Sequence, residues 1–530
     1  MTLADKLLLI KKNYKVSNAK LSRITKATVK TIAKWEKGTA KPSVDQANAI
    51  AGFFGITVES LIDDKKDLEK KAPEIKKLLN SIPNWEKYST NVSTEYRQCY
   101  EEGKDISAFE PLFKAVADLP NDEYKDRICD TLFDLQLNLP QRKDYKYVEP
   151  DDLDEIKNLR NPELLSETKK VPSKRVLANK EKGAWYGRIA GCMLGKTVEG
   201  MRRFELIPFL KETGNYPMHR YILSTDLSDE IISKYSYNLA NRCYADKITC
   251  EPVDDDTNYT VLYQDTISRF GYDFTPYEVS KEWLMKQNKD AYCTAERVAF
   301  VNFINGYKPH SSALYKNAYR EWIGAQIRAD YFGYINPGNP ELAAEMAWRD
   351  ASISHVKNGI YGEMFVAAMI ACAFAEKNIK NIILGGLAQI PQTSRLYESV
   401  MNILKDFENG VSESEALEKL NKKYNDRDGH DWCHTISNAM IVTIALLYRK
   451  CDYGKSICLA VENGFDTDCN GATVGSILGA RNGYDKLDEY WFEPMHGILD
   501  TSIFGIGKVE ISELIQKTIK HVEDNPYLVK

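Results

Sequence analysis

Hydrophobic positions recur at helical spacing at the start of the chain, and short polar turns separate the repeats. Leu7 and Ile10 lie three residues apart, and similar patterns follow in VSNAKLSRIT, TVKTIAKWEKG and SVDQANAIAGFFGITVESLI. Spacings of three and four place apolar side chains on one face of a helix. Gly38 suits the end of the third helix, and Ser43 can cap the start of the fourth. Residues 1–62 are therefore predicted to form several short helices.

The next segment has a different pattern. Residues 63–175 are rich in lysine, glutamate and aspartate, and prolines interrupt short helical patterns. A charge run such as 63–77 is typical of a solvated helix face. We predict a charged linker followed by a small helical connector, and no residue in it indicates chemistry.

Two stripes of glycine spaced by four stand out in the remaining residues, 176–530. The stripes are Gly183, Gly187, Gly191 and Gly195, and then Gly471, Gly475, Gly479 and Gly483. A spacing of four places glycines on one side of a helix, where each costs roughly 1 kcal/mol relative to alanine. Such a stripe indicates very close helix packing or close backbone approach to a ligand.

Neither hydropathy nor cysteine usage indicates a membrane or secreted protein. The longest apolar run, 364–375, has twelve residues, fewer than the ~20 that a membrane helix needs. The N-terminal residues do not have the pattern of a signal peptide. The eleven cysteines are odd in number and form no CxxC pair, which argues against a zinc ribbon or a disulfide scaffold. We expect a cytoplasmic protein with reduced thiols and no membrane partner.

Length and charge both indicate that the chain contains more than one domain. Its 530 residues predict more than one domain. The net charge of −5 combines +7 in residues 1–62, which hold eleven Lys/Arg and four Asp/Glu, with −12 in the other 468 residues. A small basic head on a large acidic body indicates an anionic partner for the head.

The basic head resembles the helix-turn-helix domain of the XRE/Cro repressor family. The matching residues include Leu21, Ser22, Ile32, the Trp35–Gly38 ending and Lys41-Pro42-Ser43. The resemblance implies that residues 1–62 bind DNA, with the third helix in the major groove, and that a palindromic site would require a homodimer. It places five residues at the DNA: Asn18, Thr28, Lys30, Thr31 and Lys34. The alternative is a basic helical protein-interaction module.

Two acidic clusters carry the candidate chemistry of the body. Asp254, Asp255 and Asp256 are consecutive, and Asp466 and Asp468 precede the second glycine stripe. Adjacent carboxylates repel one another unless something neutralises them. The first cluster can be a solvated helix N-cap, because aspartate is favourable at a helix start. The other explanation is a hard-cation site, because Mg²⁺ prefers oxygen ligands.

Three motifs of the body, in the same order, resemble those of the ADP-ribosylglycohydrolases, including the dinitrogenase-reductase-activating glycohydrolase group. They are GAWYGRIAGCMLG, Asp254-Asp255-Asp256-Thr257 and Gly464-Phe465-Asp466-Thr467-Asp468-Cys469-Asn470-Gly471-Ala472. The resemblance implies an all-α protein, whose large orthogonal helical domain at 176–530 holds two Mg²⁺ ions. The implied metal ligands are Asp254, Asp255, Asp256, Asp466, Asp468 and Cys469. Asp254 and Cys469 depart from the threonine that the family usually has, and a thiol is a softer Mg²⁺ ligand.

The same resemblance implies a hydrolase that releases ADP-ribose from a modified protein, nucleic acid or small molecule. Glu199, Asp255 and Asp256 would orient or deprotonate the attacking water. The implied substrate contacts are Gly195, Gly324, Arg328, His355, Gly359 and Gly471. The alternative is a transcriptional regulator that senses ADP-ribose without hydrolysing it, which the cysteine at 469 and the altered loop at Gly324 favour.

Overall fold

The protein is described by a computed structural model of residues 1–70, 83–165 and 168–529. Residues 71–82, part of the predicted linker, lie outside the described residues. The chain divides into two compact units, Met1–Ile82 and Pro83–Lys530. Regular structure is almost entirely helical, which confirms the all-α prediction. Within the described ranges, no helix combines the length and the apolar character needed to cross a bilayer.

Short helices with Ser/Thr N-caps build the first unit. Its described residues contain α1 (Leu3–Tyr14), α2 (Asn18–Thr25), α3 (Val29–Glu36), α4 (Val44–Phe54) and α5 (Val58–Ile62). Ser43 caps α4 by accepting a hydrogen bond from the backbone N–H of Gln46, as the sequence predicts. Gly38, with φ of 67°, follows α3 in the left-handed conformation that glycine favours. Leu7, Ile32 and Trp35 are fully buried in the core of this unit.

The second unit is a larger assembly of helices. Its described helices are α6 (Val92–Glu101), α7 (Glu110–Ala117), α8 (Glu123–Leu137), α9 (Leu153–Asn158), α10 (Lys174–Lys196), α11 (Arg203–Glu212), α12 (Asp229–Lys234), α13 (Asp255–Phe270), α14 (Pro276–Lys286), α15 (Thr294–Ile304), α16 (Ser311–Leu314), α17 (Asp330–Tyr334), α18 (Pro340–Ala351), α19 (Asn358–Ala373), α20 (Ile379–Leu387), α21 (Arg395–Glu408), α22 (Glu413–Lys423), α23 (Thr435–Tyr448), α24 (Tyr453–Glu462), α25 (Thr467–Asn482) and α26 (Ile511–Asp524).

Helices α19 and α23 are predominantly apolar and lie in the interior of the second unit. Only one of the residues 358–373 of α19 is not fully buried. A helix that is hydrophobic all round is typical of a buried core element. Residues 364–373 of the apolar run, which is too short for a membrane span, form part of this buried helix.

A small hairpin holds the loop that precedes α13. Strands β1 (Ile498–Leu499) and β2 (Val509–Glu510) pair antiparallel. Glu251 forms a parallel bridge with Leu499, and its backbone N–H donates to the carbonyl oxygen of Ile498 at 2.9 Å. These bonds fix the chain three residues before the first acidic cluster.

The two glycine stripes pack against each other, in α10 and α25. A Cβ atom added to Gly187 would lie 2.3 Å from the carbonyl oxygen of Gly475, and one added to Gly191 would lie 2.0 Å from that of Gly471. Real Cβ atoms do not approach backbone this closely, so only glycine permits the contact. Of the two explanations for the stripes, close helix packing is the one seen. Gly483 is the exception, because it ends α25 with φ of 79°.

The described residues 83–165, most of the predicted connector, belong to the same compact unit as the rest of the body. Buried ion pairs tie them to it. The Arg320 guanidinium contacts Glu95 at 3.1 Å and Glu102 at 2.7 Å, and Arg395 contacts Glu149 at 2.9 Å. Truncating one member of such a buried pair is strongly destabilising, because the other charge stays buried. The chain thus divides into compact units after residue 82, and the domain boundaries at 62 and 175 stay predictions.

Candidate active site

Three helix ends meet at the acidic residues of the body. Helix α10 ends at Lys196, α13 begins after Asp254, and α25 begins after Asp466. The glycine contact sets the position of α25, because a Cβ on Gly195 would lie 2.3 Å from the backbone N of Asp468. The Thr467 hydroxyl also donates to the Gly195 carbonyl oxygen at 2.9 Å. The two stripes thus bring two distant motifs together.

We call the residues at this junction the acid cluster: Asp254, Asp255, Asp256, Asp466, Asp468 and Cys469. Carboxylate oxygens of Asp254, Asp255, Asp256 and Asp468 lie within 4.8 Å of one another, as do ligand atoms of Asp256, Asp468 and Cys469. Both groups could hold a metal ion. Asp466 lies outside both groups, and its Oδ2 accepts from the Cys433 thiol at 3.4 Å.

Asp254 combines the two roles that the sequence left open. Its Oδ1 caps α13 by accepting from the backbone N–H of Asp256 at 2.9 Å, and its Oδ2 pairs with the Lys196 ammonium at 2.5 Å. Both oxygens are thus engaged within the protein. Asp255 and Asp256, in the first turn of α13, make no such cap. Asp254 is therefore both the N-cap of α13 and a member of the carboxylate group, whereas Asp255 and Asp256 belong to the group alone.

Among the residues that the structure describes, few cations pair with the acid cluster. The fully buried Arg188 lies 3.3 Å from Asp256 Oδ1 and 2.7 Å from Asp330 Oδ2, so its charge is shared. Lys196 is paired with Asp254. The carboxylates therefore outnumber their cationic partners, which leaves a demand for additional positive charge.

The pKa values follow from burial and crowding. Burial, and then the charges of neighbouring carboxylates, raise the pKa of Asp255 and of Asp468 well above the ordinary value. Burial also raises the pKa of Asp256, although Arg188 opposes the shift. Burial acts in the same direction on Asp254, but the Lys196 ion pair outweighs it and lowers the pKa. Burial together with Asp466 and Asp254 raises the pKa of Glu199 to about 7.

The backbone of Glu199 is held at the edge of the cluster. Its carbonyl oxygen accepts hydrogen bonds from the Tyr237 hydroxyl and from the Arg242 guanidinium, both at 2.9 Å. The side chain is half-buried. Glu199 and the half-buried Asp255 are the acidic groups through which the cluster reaches solvent.

Several predicted substrate residues serve packing in the structure. Gly195 and Gly471 lie in the contact between α10 and α25, so the prediction that they contact substrate is not supported by their position. A Cβ on Gly324 would meet the Glu296 carboxylate at 1.9 Å. Arg328 is fully buried and pairs with Asp350 at 2.5 Å and with Glu296 at 3.3 Å. This ion-pair network holds the loop rather than facing solvent.

His355 and Gly359 lie next to each other, as their spacing in the sequence predicts. A Cβ on Gly359 would lie 2.9 Å from the His355 side chain. His355 is 1% exposed, and its Nδ1 lies 2.8 Å from the Ser354 hydroxyl. Burial, and then Arg328, keep its pKa well below the ordinary value, so the ring is neutral. Contact of these two residues with substrate stays a prediction.

Sequence reasoning missed Lys196, Arg188 and Cys433. A signal existed for the first two, because a cation within a buried glycine stripe needs a carboxylate partner. Cys433 belongs to no motif, and only the fold brings its thiol to Asp466.

A third group that could hold a metal consists of Glu101, His430 and His434. Unlike the acid cluster, it contains two histidine rings whose Nδ1 atoms accept hydrogen bonds. The Trp322 indole N–H donates to His430 Nδ1 at 3.0 Å, and the Ile436 backbone N–H donates to His434 Nδ1 at 3.1 Å. With Nδ1 accepting in both rings, Nε2 faces Glu101, and His430 Nε2 lies 3.3 Å from the Glu101 carboxylate. His434 Nε2 lies 3.8 Å from the same carboxylate and has no hydrogen-bond partner among the described residues.

Comparison with known proteins gives one family. The family model described as ADP-ribosylglycohydrolase matches residues 173–525. A solved structure titled "ADP-ribosylglycohydrolase-related protein complex" is 14% identical, with a TM-score of 0.40, and the match covers 66% of this chain and 99% of that chain. No curated protein matches the chain.

Proposed function

Because the chain belongs to the ADP-ribosylglycohydrolase family, we propose that its second unit hydrolyses a glycosidic bond to ADP-ribose with the help of divalent cations. The observation that carries the cation requirement is the group of carboxylate oxygens from Asp254, Asp255, Asp256 and Asp468 within 4.8 Å. Such a group is unfavourable without added positive charge and matches the oxygen ligands that Mg²⁺ prefers.

An unsatisfied buried atom supports the fit of a cation. Asp468 is 3% exposed, and its Oδ1 has no hydrogen-bond partner among the described residues. A buried carboxylate oxygen without a partner is costly, because it has lost its hydration. Asp254, Asp255, Asp256 and Asp468 would hold Mg²⁺, which when bound would polarise ribose hydroxyls and activate water for attack.

Residues in and around the cluster would stabilise the transition state, orient the ribose and accept a proton. Glycosidic bonds break through a transition state with positive charge on the sugar, which nearby carboxylates stabilise. Asp255, at the solvent side of the cluster, can orient the distal ribose. The Glu199 carboxyl can accept the proton of the attacking water at its side-chain oxygen. Lys196 and Arg188 hold Asp254 and Asp256 in place through their ion pairs.

Release of ADP-ribose tests this proposal. The full chain is incubated with ADP-ribosylated arginine, serine or nucleotide substrates, with Mg²⁺ or with a chelator. We expect release that requires the cation and is abolished in Asp256→Asn. Asp452→Asn, the same exchange at an exposed N-cap outside the cluster, should act as wild type. ADP-ribose binding without release from any substrate would refute the hydrolase and favour the sensor.

For the first unit we propose DNA binding. The supporting observation is the exposed surface of α3, where Lys30 and Lys34 have no ion pair among the described residues. By contrast, Lys6 is buried and donates to the carbonyl oxygens of Ser60 and Asp63, and Lys11 pairs with Glu36. Among the described residues, Lys30 and Lys34 are thus without an ion pair on the helix that the repressor resemblance places in the major groove.

Three other predicted DNA contacts are partly engaged within the unit. Asn18 donates to Glu36 at 3.1 Å, and the Thr28 hydroxyl caps α3 while lying 2.8 Å from the Thr31 hydroxyl. These bonds order the start of α3 but leave Thr28 exposed. A mobility shift of the full chain with duplex DNA tests the proposal. Binding that is no tighter to DNA than to a neutral polymer would favour the protein-interaction module.

A further inference from the structure

We propose that the acid cluster offers two chemically different cation positions, and that the one formed by Asp256, Asp468 and Cys469 selects a thiophilic divalent ion such as Zn²⁺ over Mg²⁺. The inference deepens the proposed function and rests on it, because both use the same cluster. It specifies the class of metal that this chain takes.

The geometry places a thiol directly among the carboxylates. Cys469 Sγ lies 3.2 Å from Asp256 Oδ2, and ligand atoms of Asp256, Asp468 and Cys469 all lie within 4.8 Å. The three residues are 0%, 3% and 5% exposed. Asp468 and Cys469 are adjacent in the first turn of α25, where the helix N-terminus is fixed by the glycine contact.

A second observation indicates that this position receives a ligand. The Oδ1 atom of Asp468 is buried without a hydrogen-bond partner among the residues that the structure describes. Asp256 and Asp468 belong to both groups, whereas Asp254 and Asp255 contribute only oxygen. One group therefore presents four carboxylates, and the other presents two carboxylates and one sulfur.

Ligand chemistry separates the two positions. Mg²⁺ demands oxygen donors in near-octahedral geometry, so the four-carboxylate group suits it. Thiolate sulfur favours Zn²⁺ and similar ions, and carboxylate oxygens complete such sites. On binding, the Cys469 S–H bond breaks, the proton leaves to solvent, and the thiolate forms the bond to the ion. The charge balance needs no oxidant or reductant.

Cobalt spectroscopy of the full chain tests the inference, because a Co²⁺–thiolate bond gives a near-ultraviolet charge-transfer absorption. Chelator-treated protein is titrated with Co²⁺, and the absorption is followed during competition with Zn²⁺ and with Mg²⁺. We expect absorption from one thiolate, which Zn²⁺ displaces and a large excess of Mg²⁺ does not. No absorption, or displacement by equimolar Mg²⁺, would overturn the inference.

Two variants test whether Cys469 is the cysteine that binds the metal ion. Cys469→Ser should lose the absorption, whereas Cys433→Ser, which removes the thiol next to Asp466, should keep it. Retention in Cys469→Ser, with folding checked by circular dichroism, would overturn the assignment. If Cys469→Ser does not fold, Cys469→Thr, with the residue usual in the family, replaces it.

The outcomes separate this inference from the proposed function. Mg²⁺-dependent ADP-ribose release without thiolate absorption would leave the hydrolase standing and refute the thiophilic position. Thiolate absorption without ADP-ribose release under any cation would leave the metal position standing and refute the hydrolase.

Discussion

Replacing Gly191 with alanine inserts a methyl group into the contact between α10 and α25. The new Cβ atom would lie 2.0 Å from the carbonyl oxygen of Gly471. Carbon–oxygen contacts in proteins lie at about 3.3 Å or more, so the backbones must separate by about 1.3 Å at this point. Since both helices are stiff, the contacts of Gly187 and Gly195 must open as well.

Two opposing effects determine how much Gly191→Ala changes the free energy of unfolding. Alanine gains about 1 kcal/mol over glycine in a helix interior. Overpacking costs about 1–3 kcal/mol, and more where backbone opposes backbone. A gap of roughly 1 Å also forfeits a quarter to half of the dispersion attraction across it. We therefore expect Gly191→Ala to lower the free energy of unfolding by about 2 kcal/mol or more.

Denaturant unfolding of the full chain, followed by circular dichroism, measures this change. Gly429→Ala is the control, because its Cβ would meet no atom within 4 Å and its backbone is not left-handed. We expect the control to lie within about 0.5 kcal/mol of wild type. The separation also moves Asp468, so cation affinity should fall in Gly191→Ala. A Gly191→Ala protein at least as stable as wild type would refute the packing argument.

Three further predictions concern the acid cluster, the first unit and pH. Asp468→Asn should weaken Mg²⁺ binding in calorimetry by at least about tenfold, whereas equal affinity in Asp452→Asn and Asp468→Asn would contradict the cluster's role. Lys34→Ala should reduce the slope of log DNA affinity against log salt by about 1, and an unchanged slope would place this lysine away from phosphate. Burial, and then His430, lower the pKa of His434 to about 3, although the charges of Glu101 and Glu321 oppose the shift. Because the unfolded chain binds this proton near pH 6.5 and the folded chain does not, the stability present above pH 6.5 is lost as the pH falls towards 3. The His434→Asn variant can still cap α23, and its melting temperature should fall less between pH 7.5 and pH 5.5 than that of the wild type. An equal fall in the two proteins would contradict this prediction.

Local sequence patterns predicted which segments form helices better than they predicted which helices pack against each other. The stripe of Gly183 to Gly195 predicted a helix with one face of glycines, suited either to close helix packing or to close approach of a ligand, because a spacing of four fixes that face. It did not predict the second stripe as that partner, since two sequences far apart carry no sign of their pairing. The structure places Gly195 and Gly471 in this contact, and their contact with substrate stays a prediction.

The acid cluster shows a similar division. The consecutive residues Asp254, Asp255 and Asp256 predicted an acidic site, and the fold brings Asp468 to it. The sequence could not show that Asp254 is engaged by Lys196, because ion pairing depends on side-chain distances. The buried pairs of Arg320 with residues of the predicted connector were equally invisible, since partners more than 200 residues apart leave no local pattern.

Anomalous scattering from crystals grown with Mn²⁺ and ADP-ribose tests most directly whether the acid cluster is a cation-dependent hydrolytic site. Mn²⁺ accepts the oxygen ligands that Mg²⁺ prefers. We predict an anomalous peak bound by Asp255, Asp256 and Asp468, with the distal ribose next to it and Glu199 within reach of the anomeric carbon. A cluster without a peak, or ADP-ribose bound away from it, would contradict the proposed function.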